Sequence, residues 1–238
     1  FSFVVTGKRW DQEALTAIDA YKAAGGRVVL DVNEDYPSMA EWKTGFNYAV
    51  AVADVVVACS RKLAEKIEAT TGHKTTVIPD GVESPFELNC EYVEKDRLSA
   101  VWNGYGGNAE LAERLRPLLD ECGYDLVTIH EHDNATVKWN RETWAHEMAK
   151  HDIVICPQRD HQDCKSANKL TTAMALGLPV VANPLPAYKD VVGDGAFVSF
   201  ATTDEEWKRA FMNLRTVGAR RRDGTEGKMA VGPYLADS

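Results

Sequence analysis

The chain has 238 residues, 45% of them hydrophobic and 26% charged, which is room for one large or two small globular domains with a sizeable core. Its formal net charge of −9 argues against generic polyanion binding, because nucleic-acid affinity rests largely on Lys and Arg neutralising phosphates. No apolar stretch approaches the roughly 20 residues of a membrane span, no signal-peptide pattern is visible, and the five cysteines lack CxxC spacing, a reduced and cytoplasmic pattern. The sequence opens at Phe1 inside an apolar run without an initiating Met, which leaves room for a missing N-terminal piece.

In chain order, Phe3–Val5 reads as a strand and Asp11–Ala24 as a helix with Ala14, Leu15, Ile18 and Tyr21 on one face, ended by Gly25-Gly26. Arg27–Val32 is a strand, Ser38–Ala53 a helix capped by Ser38, Asp54–Ala58 a strand, Arg61–Thr70 a helix and Lys74–Ile78 a strand. Pro79–Asp96 lacks periodicity and reads as a linker. A second series follows: strand Leu98–Trp102, helix Ala109–Glu121, strand Asp125–His130, helix Thr143–Lys150 and strand Asp152–Cys156. A helix over Ser166–Leu176, closed by Gly177, leads through Gly-Leu-Pro into strand Leu178–Ala182; strand Phe197–Phe200 and helix Asp204–Val217 complete the pattern. Apolar strands alternating with helices indicate parallel sheets covered on both faces, in two α/β units.

Ligands of such sheets bind outside the carboxyl ends of the strands, so the informative residues follow each strand. Lys169 lies in the first turn of its helix, where the macrodipole disfavours a cation unless an anion is bound; the alternative is a solvated surface lysine. Asn103-Gly104-Tyr105-Gly106-Gly107-Asn108 joins a strand to a helix and reads as a phosphate- or sugar-facing loop or as a tight turn, without the glycine order of the dinucleotide fingerprint. Glu34 and Asp35, with Asp31, follow a strand and suit a general base or an acceptor contact, unless they cap the next helix.

His130-Glu131-His132-Asp133 and Asp160-His161-Gln162-Asp163-Cys164 match no zinc spacing, and no Asp-x-Asp is present, so no metal is expected. Trp139 and Trp144 read as packing residues. Arg220-Arg221-Arg222 is the one dense basic run and reads as a solvated face, with a partner contact as the alternative.

These residues resemble a known family. Ala53-Asp54-Val55-Val56-Val57-Ala58-Cys59-Ser60 with Val77-Ile78-Pro79-Asp80-Gly81-Val82-Glu83 resembles the end of the first domain of group 1 glycosyltransferases. Asp152-Ile153-Val154-Ile155-Cys156-Pro157, Asn168-Lys169 and Gly177-Leu178-Pro179-Val180-Val181-Ala182 resemble their donor-binding segment. The resemblance implies an α/β GT-B fold, two Rossmann-like domains facing across a cleft. A short acceptor-side domain would occupy residues 1–90 and a nucleotide-sugar-binding domain residues 91–238.

It also implies roles. Gly104, Tyr105, Gly106, Gly107 and Asn108 would face the diphosphate or the sugar, His130 and Glu131 the base, and Ser166, Asn168 and Lys169 the phosphates, beside Pro157. The implied activity is transfer of a sugar from a nucleoside diphosphate to an acceptor hydroxyl. It would be retaining and metal-independent, with Lys169 stabilising the leaving group, Glu34 and Asp35 on the acceptor side, and no cofactor. Acceptors would be a small molecule, a glycan or a lipid-linked glycan, with a modified DNA base as an alternative. Two further alternatives are a non-catalytic nucleotide-sugar binder and a sugar-nucleotide epimerase of the same fold.

The chain departs from the family pattern at several positions. The paired glutamates of the donor segment fall, by register from Gly177, on Cys164 and Thr172. The usual lysine after the second domain's first strand is missing, and Asn33–Asp35 stand where the first domain often carries a histidine.

Overall fold

The structure is a computed structural model that describes residues 3–7, 10–85, 87–159 and 162–235. The chain divides into two compact units, Phe1–Asp80 with Gln162–Ala167, and Gly81–His161 with Asn168–Ser238.

The first unit holds strands β1 (Phe3–Thr6), β2 (Arg27–Val32), β3 (Val55–Ala58) and β4 (Thr75–Val77), all parallel and adjacent in that order. Helices α1 (Gln12–Ala23), α2 (Lys43–Val52) and α3 (Arg61–Thr71) connect them. Helix α1 starts where Asp11 accepts from the Ala14 amide at 3.0 Å; α3 starts at Ser60 and ends at Gly72 in the left-handed region. Val28, Leu30 and Val32 bury alternate positions of β2. Trp10, Tyr36 and Phe46 pack edge-on and tilted over this core, with centroids 5.3–5.8 Å apart.

Helix α2 is shorter than the sequence suggests. Pro37 favours a 3-10 turn over Tyr36–Ser38, Met39 then turns extended, and helical backbone resumes at Lys43. Ser38 therefore closes a turn and caps no helix. Segment 162–167 belongs to this unit: Cys164 is buried in its core, and its carbonyl accepts from Ser60 Oγ at 3.1 Å.

The second unit carries β5 (Leu98–Asn103), β6 (Tyr124–His130), β7 (Val137–Lys138), β8 (Ile153–Cys156), β9 (Val180–Ala182) and β10 (Val198–Phe200), parallel throughout. Their spatial order is β10-β9-β8-β5-β6-β7. The order reverses between β5 and β8, the switch point at which a doubly wound sheet opens a crevice. The helices are α4 (Glu110–Glu113), α5 (Arg116–Glu121), α6 (Trp144–Ala149), α7 (Asn168–Ala175), α8 (Pro186–Val192), α9 (Asp204–Asn213) and α10 (Val217–Ala230).

Several elements differ from the sequence pattern for identifiable reasons. Ala109–Glu121 is broken into α4 and α5 because Pro117 removes an amide donor and crowds the preceding turn. Helix α8 follows Pro184 and begins at Pro186, so its signal reads as a loop. Helix α10 lacks an apolar period; it buries Arg220, Asp223, Gly224 and Gly227 instead. Residues 81–96 are no free linker within this unit: the Cys90 amide donates to Leu176 O at 2.9 Å and Tyr92 Oη to Gly177 O at 2.5 Å.

Within the basic run, Arg220 departs from a solvated face. Arg220 is fully buried and donates to the carbonyls of Leu214 (3.0 Å), Arg215 (2.7 Å) and Val93 (2.6 Å), while Arg222 pairs with Asp223 at 2.7 Å. Arg221 and Arg222 are both exposed. Arg220 fastens α10 to the second unit, and of the two exposed arginines Arg222 is paired with Asp223.

Candidate functional site

Strand β5 ends at Asn103, and the chain leaves it at Gly104 because no side chain fits there. A Cβ on Gly104 would lie 2.6 Å from Lys169 Nζ and 2.7 Å from Trp102 Cζ2. The Lys169 ammonium stands 5.1 Å from the centroid of the buried Trp102 ring, a cation–π arrangement that holds the charge over an apolar wall. Beside it lies a cavity of about 140 Å³, lined by Asn103 and Gly104 from the end of β5 and by Val154, Ile155 and Cys156 of β8. Trp144 and Met148 of α6, Asn168, Lys169 and Thr172 of α7, and Glu83 complete the lining. The cavity thus sits at the switch point of the sheet. Burial pushes the Cys156 thiol up to about 11 against the opposing pull of Lys169, so it is no nucleophile at neutral pH.

Three side chains on the α7 side form a hydrogen-bond chain. Thr172 Oγ1 donates to Asn168 Oδ1 at 3.1 Å, and Asn168 Nδ2 donates to Glu83 Oε1 at 2.9 Å. Thr172 is buried and occupied with the helix's first turn.

The loop after Gly104 packs against the end of β6. Gly106–Asn108 forms a 3-10 turn, with the Asn108 amide donating to Tyr105 O at 2.8 Å. The Gly106 amide donates to both Glu131 oxygens, at 3.2 and 3.1 Å. Glu131's own backbone amide and that of Gly106 hold its carboxyl below the usual range. A Cβ on Gly106 would lie 2.6 Å from His132 Cγ and 2.8 Å from His130 Nδ1, and one on Gly107 2.6 Å from the Tyr105 ring. His130 is buried, 6.0 Å from the Trp102 ring, and the exposed Tyr105 meets His132 at 5.8 Å.

Two groups of the sequence-derived site therefore assemble within the second unit and meet at Gly104. One is the cavity with Asn168, Lys169 and Thr172; the other is Tyr105, Gly106, Gly107 and Asn108 with His130 and Glu131. Pro157 is buried directly after β8. Asp35, Glu34 and Ser166 belong to the first unit. There Lys66 donates to Asp35 at 2.6 Å, Lys165 pairs with Glu34, and Asp35 Oδ1 is buried without a partner. Cys164 is a core thiol that burial pushes up to about 12.

Among the described residues no three metal-ligating side chains converge, and Asp133 of the candidate cluster pairs with Lys138 at 2.7 Å; Asp160 and His161 lie outside the described residues. No described helix is long and apolar enough to cross a membrane. Glu83, Met148 and Trp102 were not legible as site residues, and Trp144, expected only to pack, lines the cavity. The available signal for Glu83 was its place after β4.

Residues 95–216, just over half of the chain, match the family of group 1 glycosyl transferases. The chain belongs to this family. No curated protein sequence matches it. Among solved structures, a chain of the GtfA/B complex is similar at TM-score 0.66 and 10% identity, covering 99% of this chain and 54% of its own. TarM is similar at TM-score 0.68 and 9% identity, with 99% and 52% covered. HepE of Anabaena, solved in complex with UDP and glucose, is similar at TM-score 0.67 and 14% identity, with 97% and 73% covered. The chain thus spans about half the length of the GtfA/B and TarM chains. At these identities the likeness is one of fold: two parallel α/β units of the GT-B glycosyltransferase kind, the first with four described strands.

Proposed function

We propose that this group 1 family member transfers a sugar from a nucleoside diphosphate sugar to an acceptor hydroxyl. The observation that carries the reading is the Lys169 ammonium, held over Trp102 in the first turn of α7 and beside a switch-point cavity. A diphosphate there would meet a cation and the positive end of a helix together. Charge developing on the departing diphosphate would be stabilised by groups already in place, without a metal in that role. HepE, which shares the fold, was solved with UDP and glucose, which supports the ligand class. The Gly104–Asn108 loop would face the sugar and diphosphate, and Tyr105 and Glu131 the more exposed part of the donor. Ser166 is the further phosphate candidate.

Glu34 and Asp35 would serve the acceptor. Each already accepts from a lysine and keeps further lone pairs for acceptor hydroxyls, which suits holding an acceptor better than taking up its proton. The same pairings favour a second reading, a nucleotide-sugar binder that does not transfer. Burial of Arg220 and pairing of Arg222 with Asp223 weaken the motive for a DNA acceptor.

Assay of a nucleotide-sugar panel for transfer and donor hydrolysis, beside calorimetric donor binding, separates the two readings. Transfer or hydrolysis supports the enzyme, and binding alone supports the binder. Lys169→Ala is expected to weaken donor binding by about 1.5–3 kcal/mol, roughly 10- to 150-fold. Unchanged affinity in that variant refutes the phosphate assignment.

A further inference from the structure

We infer that Glu83 is the hydroxyl-recognising carboxylate of the switch-point cavity, accepting from a vicinal pair of ligand hydroxyls and held for that task by Asn168 and Thr172. The inference rests on the reading of this cavity as a nucleotide-sugar site.

Among the described residues, the cavity's charged lining is one ammonium, Lys169, and one carboxylate, Glu83. A bare anion is attracted by the first and repelled by the second. A ligand that satisfies both joins an anionic group to hydrogen-bond donors, and the hydroxyls of a phosphorylated sugar are such donors. A carboxylate offers about four lone-pair sites on two oxygens and spans two neighbouring hydroxyls, which a single hydroxyl or amide does not do. Trp144 and Met148 give the cavity apolar wall for the ring that carries those hydroxyls.

Glu83 is exposed, but the residues on either side of it are anchored. The Val82 amide donates to Tyr234 O at 3.1 Å, and Ser84 Oγ donates to Thr172 O at 3.4 Å. Its side chain is directed by a chain with one consistent polarity. An ionised carboxylate only accepts, so Asn168 must present Nδ2 to Glu83 at 2.9 Å; Asn168 Oδ1 then faces the Thr172 hydroxyl, which donates at 3.1 Å. Asn168 takes one acceptor position on Oε1 and leaves the others for a ligand. Thr172 and Asn168 are positioning residues, and Glu83 is the group that touches the ligand.

The hydroxyls belong to the ribose of the nucleotide or to the transferred sugar. Calorimetric titration of the full chain distinguishes the sources with three ligands: whichever of UDP, GDP and ADP the wild type binds best, its 2′,3′-dideoxy counterpart, and the matching nucleotide glucose. Glu83→Ala is expected to lose roughly tenfold or more in affinity. A loss seen with the plain diphosphate and absent with the dideoxy form assigns the ribose; a loss confined to the nucleotide glucose assigns the transferred sugar. Glu83→Gln should fall between wild type and alanine. Thr172→Val should show a smaller loss with the same ligand dependence, whereas a merely structural role would weaken all three ligands equally. Wild-type-like affinity of Glu83→Ala for every ligand, or an equal loss with the dideoxy nucleotide, overturns the assignment while leaving the donor-site reading intact. A wild type that binds none of the nucleotides overturns that reading, and the inference with it.

Discussion

Arg220 offers the most direct test of the second unit's construction. Its guanidinium is fully buried and donates three hydrogen bonds: Nη1 to Leu214 O and Arg215 O at 3.0 and 2.7 Å, and Nη2 to Val93 O at 2.6 Å. Two of these carbonyls end α9 and the third lies on the segment before β5, so one side chain ties α9, α10 and residues 81–96 together. Arg220→Met keeps the apolar stem and removes every donor. Each bond to a charged group contributes about 1.5–3 kcal/mol, and the desolvation of the guanidinium offsets part of the sum. Removing it while three carbonyls stay behind should cost about 3–5 kcal/mol, a large share of the roughly 5–15 kcal/mol of a typical domain. With an m value of about 2 kcal/mol/M, the urea midpoint should fall by roughly 2 M. Circular dichroism would read the transition, and hydrogen exchange at α9 and α10 amides would assign the loss to this unit. Arg221→Met, on the exposed neighbour, should stay within about 0.5 kcal/mol of wild type. A loss below about 1 kcal/mol for Arg220→Met, or equal losses for the two variants, refutes the clamp.

Gly104→Ala should weaken nucleotide binding roughly tenfold by displacing the Lys169 ammonium 2.6 Å away, and cost about 1–3 kcal/mol of stability through the rigid Trp102 ring; unchanged affinity by calorimetry counts against the geometry. Asp152, buried at the head of β8, accepts from Lys95 Nζ, Ser99 N and Ser99 Oγ at 2.8–3.1 Å, so Asp152→Asn should cost about 2–4 kcal/mol in urea unfolding. Glu206 completes the capping box of α9, and bonds from the Thr202 side chain and backbone and from Thr203 lower its carboxyl from 4.5 to about 2. Its contribution is fully present above about 4.5 and fades as pH falls through about 2, so wild type should exceed Glu206→Gln at neutral pH and the difference should vanish in strong acid. A difference that persists below pH 2 would assign the effect to something other than ionisation.

The local signals that survived are those in which one residue decides one geometry. Gly177 ends its helix, as read from the sequence, because the left-handed backbone, with φ of +72°, suits glycine; Asp11 and Ser60, whose side chains accept from amides three residues on, and Gly72, also with φ of +72°, bound helices in the same local way. The apolar runs of β2, β3, β5 and β8 were legible for the same reason: burial on a parallel sheet demands them. Lys169 also stood out locally, as a cation in a first helical turn, and that one mismatch led to the cavity.

Whatever depends on several distant segments at once was decided only by the fold. Residues 162–167 return to the first unit, and nothing in their composition says so; the bond from Ser60 to the Cys164 carbonyl does. Glu83 enters the cavity because α7 brings Asn168 within 2.9 Å of it across 85 positions. Arg220 reads as surface charge in any local window, since its three carbonyl partners lie on a helix end and a segment more than a hundred residues upstream. Sequence by itself determined the alternating α/β build, the ends of several helices and the place of Lys169 in a first helical turn, because those follow from periodicity and from backbone geometry at single positions. The tertiary structure decided which carboxylate shares the cavity with that lysine and which arginine is buried, because both depend on groups brought together from segments distant in the chain.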